Sequence, residues 1–334
     1  MSGRFSNAGK LILTPFSGEE IALAQMAELP LVVVHCQHLG NAETGVVLPG
    51  DVDVARTQHV GLSGVPVPTL AVADAASAPR LKDAAFDIAR RLRTPVILLT
   101  SIGIAMPDAV ADLHGVCQSS LMEAEAPAEP QLAGGPAPPS RRSPIVQVDS
   151  VVINLSSDGK TDARLADGSL PLDTAPRPGH VQFAGTVNGR RVFLNLKPTE
   201  IEARLSRLRD KILNAAPSLE FVQADIDPDA ETLLLSYGLA DQAAREAVKI
   251  VRAAGARVSH LTIFSLWPMS QDALRRALTP FVRRVLVPEL NLGLYAAELQ
   301  RVFHNIKIES LACYDGRLIE PAVIAKRITD WPCG

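Results

Sequence analysis

Three stretches decide the fold: Thr232-Leu-Leu-Leu-Ser-Tyr237-Gly238, Val258-Ser-His-Leu-Thr-Ile-Phe264 with Leu266-Trp267-Pro268 behind it, and Val282-Arg-Arg-Val-Leu-Val287 leading into Pro288-Glu289-Leu290-Asn291-Leu292-Gly293. The first is an apolar run too short for a free-standing helix and closed by Gly238, which fits a strand buried on both faces, and the second reads as the next strand. Between them, Ala240 to Ala254 places Ala244, Ala247, Val248 and Val251 on one helical face, and Gly255 supplies the permissive backbone at its end. Gln271 to Leu278 reads as a second helix, stopped by Pro280, and Val282 to Val287 as a third strand. Strand-helix alternation with short connections predicts an α/β fold with a parallel, doubly wound sheet. Ligands and partner subunits meet such sheets at the carboxyl ends of the strands, where Tyr237-Gly238, Trp267-Pro268 and Glu289-Asn291-Gly293 fall.

Working outward, Ile21 to Glu28 reads as a short helix and Leu29-Pro-Leu-Val-Val-Val34 as a strand. It runs into His35-Cys36-Gln37-His38-Leu39-Gly40-Asn41-Ala42-Glu43-Thr44-Gly45. Pro79 to Leu92 is a helix with its proline in the first turn, and Thr94 to Thr100 another buried strand. Pro198 to Leu205 opens a further helix, with Thr199 and Glu202 at capping-box spacing and Ile201, Leu205, Leu208 and Ile212 in one stripe. Glu123 to Pro144 holds Ala126-Pro-Ala-Glu-Pro130 and Gly134-Gly-Pro-Ala-Pro-Pro139, a composition unable to bury enough apolar surface to order itself. Three regions follow: a first domain over 1–122, a Pro/Gly-rich linker and irregular segment over 123–180, and a second domain over 181–334.

Composition sets outer bounds. A chain of 334 residues with 47% hydrophobic residues buries a large core. A net charge of -3 and few aromatic residues disfavour nucleic acid as a partner. No apolar run approaches the roughly 20 residues that cross a bilayer, and Met1 to Lys10 is too polar for a signal peptide, so a cytoplasmic protein without a membrane span is expected. Cys36, Cys117, Cys313 and Cys333 are scattered without a Cys-x-x-Cys pair, which gives no local framework for zinc or an iron-sulfur cluster. No Gly-x-x-x-x-Gly-Lys-Ser/Thr loop and no Gly-x-Gly-x-x-Gly after a strand is present. His260, inside a strand pattern, reads as a satisfied core residue, and Glu19 and Glu20, at the start of a predicted helix, as dipole-compensating groups.

The order of strand, helix, Leu-Trp-Pro turn and Val-Pro-Glu-x-Asn-x-Gly strand end resembles the transketolase C-terminal-like domain in the alpha subunit of 2-oxoacid:ferredoxin oxidoreductases. The Gln37-to-Gly45 loop is similar to that family's Gln-Arg-x-Gly-Pro-Ser-Thr-Gly loop beside the active site. Gln37, Gly40, Thr44 and Gly45 match, while His38 stands where the family has Arg. The first domain then resembles a partial pyrimidine-binding-type domain. Its preceding strand, its Pro-x-Thr-Pro turn and the Glu that activates thiamine have no counterpart here. The resemblance implies a subunit inactive alone. Its assembly would oxidatively decarboxylate a 2-oxoacid to acyl-CoA on thiamine diphosphate with coenzyme A as co-substrate. A beta subunit would hold the thiamine diphosphate and Mg, and gamma and ferredoxin-like subunits would carry 4Fe-4S clusters. Gln37, His38, Gly40, Thr44 and Gly45 would lie near substrate or coenzyme; Glu289, Asn291 and Gly293 would serve an interface or lie near coenzyme. No catalytic residue and no metal ligand is assigned. A catalytically silent scaffold subunit and a non-oxidative transketolase-like subunit are the alternatives.

Overall fold

The computed structural model describes residues 10–13, 18–26, 28–37, 50–101, 184–187, 190–193 and 198–330. Its strands are β1 (Lys10–Leu13), β2 (Leu31–Gln37), β3 (Thr69–Ala71), β4 (Val96–Ser101), β5 (Ala184–Val187), β6 (Arg190–Phe193), β7 (Val222–Asp225), β8 (Thr232–Ser236), β9 (Ser259–Ile263), β10 (Ser265–Trp267), β11 (Arg284–Glu289) and β12 (Lys307–Ala312). Two five-stranded sheets run in the orders β1-β2-β4-β3-β10 and β12-β11-β8-β9-β7, and β5 and β6 pair as a hairpin. Parallel pairing dominates both sheets; β10 and β7 are antiparallel edges. The fold is α/β, as the alternating pattern predicts. The predicted linker, 123–180, lies outside the described residues.

Every residue of β8 and β9 is buried, because helices cover both faces of this part of the sheet. The helix Ala240–Ala253 turns Ala244, Ala247, Val248 and Val251 inward, and Gly255 at φ 82° ends it. In the first sheet, the helix Ala78–Leu92 buries Leu81, Ala85, Ile88 and Leu92. Side chains of both halves share the same apolar clusters: Val34, Leu70 and Leu98 pack in one with Leu234, Leu239 and Leu286.

Two elements differ from the sequence expectation. Ser265-Leu266-Trp267 forms not a turn but β10, which leaves the second sheet and adds an edge to the first through β3. The Trp267–Pro268 peptide is cis. The third strand also runs two residues further than expected, through Pro288 to Glu289. Glu289 O accepts from Cys313 N on the β12 side, so the position of Pro288 faces β8, whose ladder ends at Leu286. A proline there forfeits no ladder hydrogen bond.

The helix Pro198–Ala215 belongs to the second half in sequence but docks on the first through basic residues on one face. Arg204 Nη2 donates to Met26 O at 2.7 Å, Arg207 pairs with the Glu28 carboxylate, and Lys211 Nζ reaches Glu28 Oε2 and Arg93 O, each at 3.1 Å. Burial pushes the Glu28 carboxyl up, but Arg207 and Lys211 outweigh it and hold its pKa below the ordinary value.

Candidate functional site

The carboxyl ends of the two sheets meet across one short segment, Gly50–Val54. At the first sheet, His35 near the end of β2 pairs through Nε2 with Asp53 Oδ2 at 2.7 Å, and Asp53 lies 3.7 Å from Arg56. Trp267 Nε1, from the β10 edge, donates to Val54 O at 2.9 Å. At the second sheet, Asp51 N donates to Leu290 O and Asn291 Nδ2 donates to Asp51 O at 2.9 Å. The segment therefore works as a strap, its ends fastened to different sheets.

The strap enters the second sheet at a specific place. After the antiparallel edge β7, the parallel part of that sheet starts at β8, with β9 on one side of it and β11 on the other, so strand order reverses between β8 and β11. Crevices at such reversals, outside the carboxyl ends, are where doubly wound sheets take ligands. Here Asp51 fills the crevice. Its side chain lies against Gly238, where a Cβ would stand 3.0 Å from Oδ1, and Gly238 has φ 54°. Glycine at 238 thus meets two demands, the left-handed backbone and room for a carboxyl.

Glu289, at the end of β11, is fully buried and saturated. Oε1 accepts from Tyr237 Oη at 2.8 Å and Tyr295 N at 2.8 Å; Oε2 accepts from Ala296 N at 3.3 Å and Ser310 Oγ at 3.1 Å. The carboxylate so caps the helix Leu294–Val302, whose first N–H groups have no partner inside the helix. Asn291 is used as fully. Oδ1 accepts from Gly293 N and Leu294 N, while Nδ2 donates to Asp51 O and to Tyr237 Oη at 3.0 Å. Gly293, at φ 85°, makes the turn into that helix, with the Ser310 side chain 3.1 Å from where a Cβ would sit. The Tyr295 ring packs edge-on against Tyr237 at 5.1 Å and Trp267 at 5.5 Å.

Asp51 contrasts with Glu289. Both carboxyl oxygens are buried without a hydrogen-bond partner. Burial, and then the Glu289 charge, push its pKa up to about 7. Burial raises Glu289 as well, against the pull of its four donors, and raises Tyr237 well above the phenol range. One carboxyl is held by donors; the other stays neutral up to near pH 7.

Of the residues predicted for the site, Gln37, Glu289, Asn291 and Gly293 are described, and His38, Gly40, Thr44 and Gly45 lie outside the described residues. Gln37 closes β2, 1% exposed, with Oε1 unpartnered. Glu289, Asn291 and Gly293 come together in one network. Sequence reading missed Asp51, Tyr237 as a hydrogen-bonding group, and the His35–Asp53 pair. Pro49-Gly50-Asp51 carries only the signature of a turn, and nothing local tells that its Asp crosses to another sheet. His260 is satisfied in the core: Nε2 lies 2.7 Å from Ser236 Oγ, within a cluster where Ser236, Thr262 and Arg245 all reach the Asp241 carboxylate.

Two facing carboxyl edges joined by a strap define the class, an α/β protein of two sheets with a site built between them. A 2-oxoglutarate:ferredoxin oxidoreductase from Magnetococcus marinus, solved with 2-oxoglutarate, coenzyme A and succinyl-CoA bound, has the same fold, with a TM-score of 0.64 at 18% identity. That match covers 96% of this chain and 52% of the other, so this chain spans about half the length of the solved one. No family model matches. Among curated proteins, the chain is 25% identical over 320 residues to the 2-oxoglutarate synthase subunit KorA of Methanothermobacter marburgensis, covering 93% of this chain and 76% of that protein. It is 24% identical over 313 residues to the subunit of the same name from Methanothermobacter thermautotrophicus, with the same coverage. The chain is a distant relative of these subunits, as its strand-end motifs lead one to expect.

Proposed function

We propose that this chain is an alpha-type subunit of a multi-subunit, thiamine-dependent 2-oxoacid oxidoreductase. The observation that carries this reading is the similarity to 2-oxoglutarate synthase subunits across 93% of the chain. In such an assembly thiamine diphosphate supplies the carbanion chemistry of decarboxylation, the electrons leave through iron-sulfur clusters, and coenzyme A takes the acyl group.

The described residues do not fit a magnesium-diphosphate site. Asp51 and Glu289 are enclosed, and among the described residues no group of three or more His, Cys, Asp or Glu is placed to hold a metal ion. In this reading the diphosphate, its Mg and the 4Fe-4S clusters belong to beta, gamma and ferredoxin-like partners. This chain contributes the end of β2 and the loop after it. Gln37, with a buried and unpartnered amide oxygen, is an acceptor for an N–H donor of a bound group. The strap and the Glu289–Asn291 network hold the two carboxyl edges together.

One observation favours a second reading, a scaffold subunit without catalytic contacts: the crevice between β8 and β11 is filled by the chain's own Asp51. A single experiment separates the two. The complex is isolated through a tag on this chain, its partners, iron, sulfide and thiamine diphosphate are measured, and viologen reduction with coenzyme A is followed on 2-oxoglutarate, pyruvate, branched-chain and aryl 2-oxoacids. Partners with bound cofactors, and a KM or kcat changed at least tenfold by Gln37→Leu or His38→Ala, support the catalytic subunit. Activity indifferent to both substitutions supports the scaffold. Recovery of the chain alone, without thiamine or iron, overturns both.

A further inference from the structure

At the second sheet and at Trp267 the strap is seated by its backbone; its one side-chain tie to the first sheet is Asp53 to His35. Asp51 N and O are both bonded to the second sheet, and Val54 O to Trp267, yet the Asp51 carboxyl, wholly buried, has no donor on either oxygen. A polar group enclosed without a partner weakens the seating it belongs to, and an apolar or amide side chain would fill the same space at less cost. The surroundings add to this. Glu289 from β11 presents a carboxylate, and Tyr237 from β8 spends its hydroxyl hydrogen on that carboxylate. Tyr295, from the helix after β11, has its hydroxyl buried and unpartnered. On the strap itself, Asp53 is turned to His35 and Arg56, and at the start of the helix Ala240–Ala253 Asp241 is turned to Ser236, Thr262 and Arg245. Among the described residues no Lys or Arg pairs with Asp51.

We propose that Gly50–Val54 is a proton-operated latch, seated between the carboxyl ends of β8 and β11 while the Asp51 carboxyl is neutral and released when it ionises. Release undoes the bonds to Leu290, Asn291 and Trp267 together, because one five-residue segment carries them all, and so uncouples the two sheet edges. The sign follows from linkage. The seated carboxyl titrates at about 7, and a released one at the ordinary 3.8. Seating is therefore strongest at low pH and is lost progressively as pH rises through about 7. Between pH 5 and pH 8 the released fraction grows by roughly fifty- to a hundredfold, most steeply below pH 7. This inference concerns the chain's own conformation and stands apart from the enzymatic reading.

Hydrogen exchange of the full chain, read by mass spectrometry from pH 5 to 8.5, tests it. After correction for base catalysis of exchange, peptides covering 50–54 of the wild type should open at least tenfold more at pH 8 than at pH 5, while peptides from 240–253 stay level. In Asp51→Asn, which keeps the shape without the charge, the 50–54 profile should be flat. A flat wild-type profile, or the same rise in Asp51→Asn, overturns the latch. The wild-type profile decides even where the variant does not fold.

Discussion

Replacing Glu289 by Ala strips four donors of their acceptor at once. Tyr295 N and Ala296 N are buried at the start of the helix Leu294–Val302 and have no other acceptor within reach; Tyr237 Oη keeps Asn291 as its donor but loses the group it donates to. Ser310 Oγ, partly exposed, turns to water. Each buried donor left unsatisfied costs about 1–3 kcal/mol, so three together cost roughly 3–6 kcal/mol once relief of burying the carboxylate is set against them. That is a large fraction of the total stability of a protein of this size. Urea unfolding followed by far-UV circular dichroism measures it as a fall in midpoint. Glu289→Gln, which keeps one acceptor but turns an amide N–H toward Ala296 N, should lose less than half as much. An unfolding free energy within about 1 kcal/mol of wild type for Glu289→Ala would refute the view that this side chain is the hub of the strand end.

Arg284, wholly buried, donates Nη2 to Arg327 O and Ile328 O at the end of the helix Pro321–Thr329 and Nε to Thr232; Arg284→Met should cost about 2–4 kcal/mol, with exchange protection falling first in 321–329. Glu28→Gln removes the charge that Arg207 and Lys211 surround, so the helix Pro198–Ala215 should loosen by about 1–3 kcal/mol, seen as faster proteolysis within it. Because the Glu28 carboxyl is held below its ordinary value, its share of stability is present above pH 4.5 and is lost as pH falls below that. An acid titration of wild type and Glu28→Gln should therefore differ in slope only in that acid range. Asp241 behaves likewise: burial raises it, but its bonds to His260, Ser236 and Thr262 prevail and lower it, so Asp241→Asn should flatten the acid limb of the thermal-stability curve.

The second sheet was legible because β8 and β9 are buried on both faces, so hydrophobic run length and Gly stops mark them without tertiary help. The helices Ala78–Leu92 and Ala240–Ala253 were legible through their 3.6-residue stripes. Glu289, Asn291 and Gly293 were marked by position at a strand end, but their work, capping a helix and gripping a strap, depends on Tyr237 and Asp51, which lie 52 and 238 positions away in the chain from the first of them. Such long-range pairings leave no local period. Ser265-Leu-Trp267 misled for the same reason: three residues before a proline read as a turn, and only the open edge of β3 makes them a strand.

That borrowed strand has a consequence for the chain as an object to be cut. β3 would end the first sheet as a bare edge, with unpaired N–H and C=O groups ready to recruit another chain. Ser265–Trp267 covers it, and Trp267 reaches over to hold Val54. A fragment stopping in the 123–180 region would lose this cover while keeping the whole parallel sheet. The second half guards the first against self-association, so the first half is a hazard to express alone and is safest when the complete polypeptide is made.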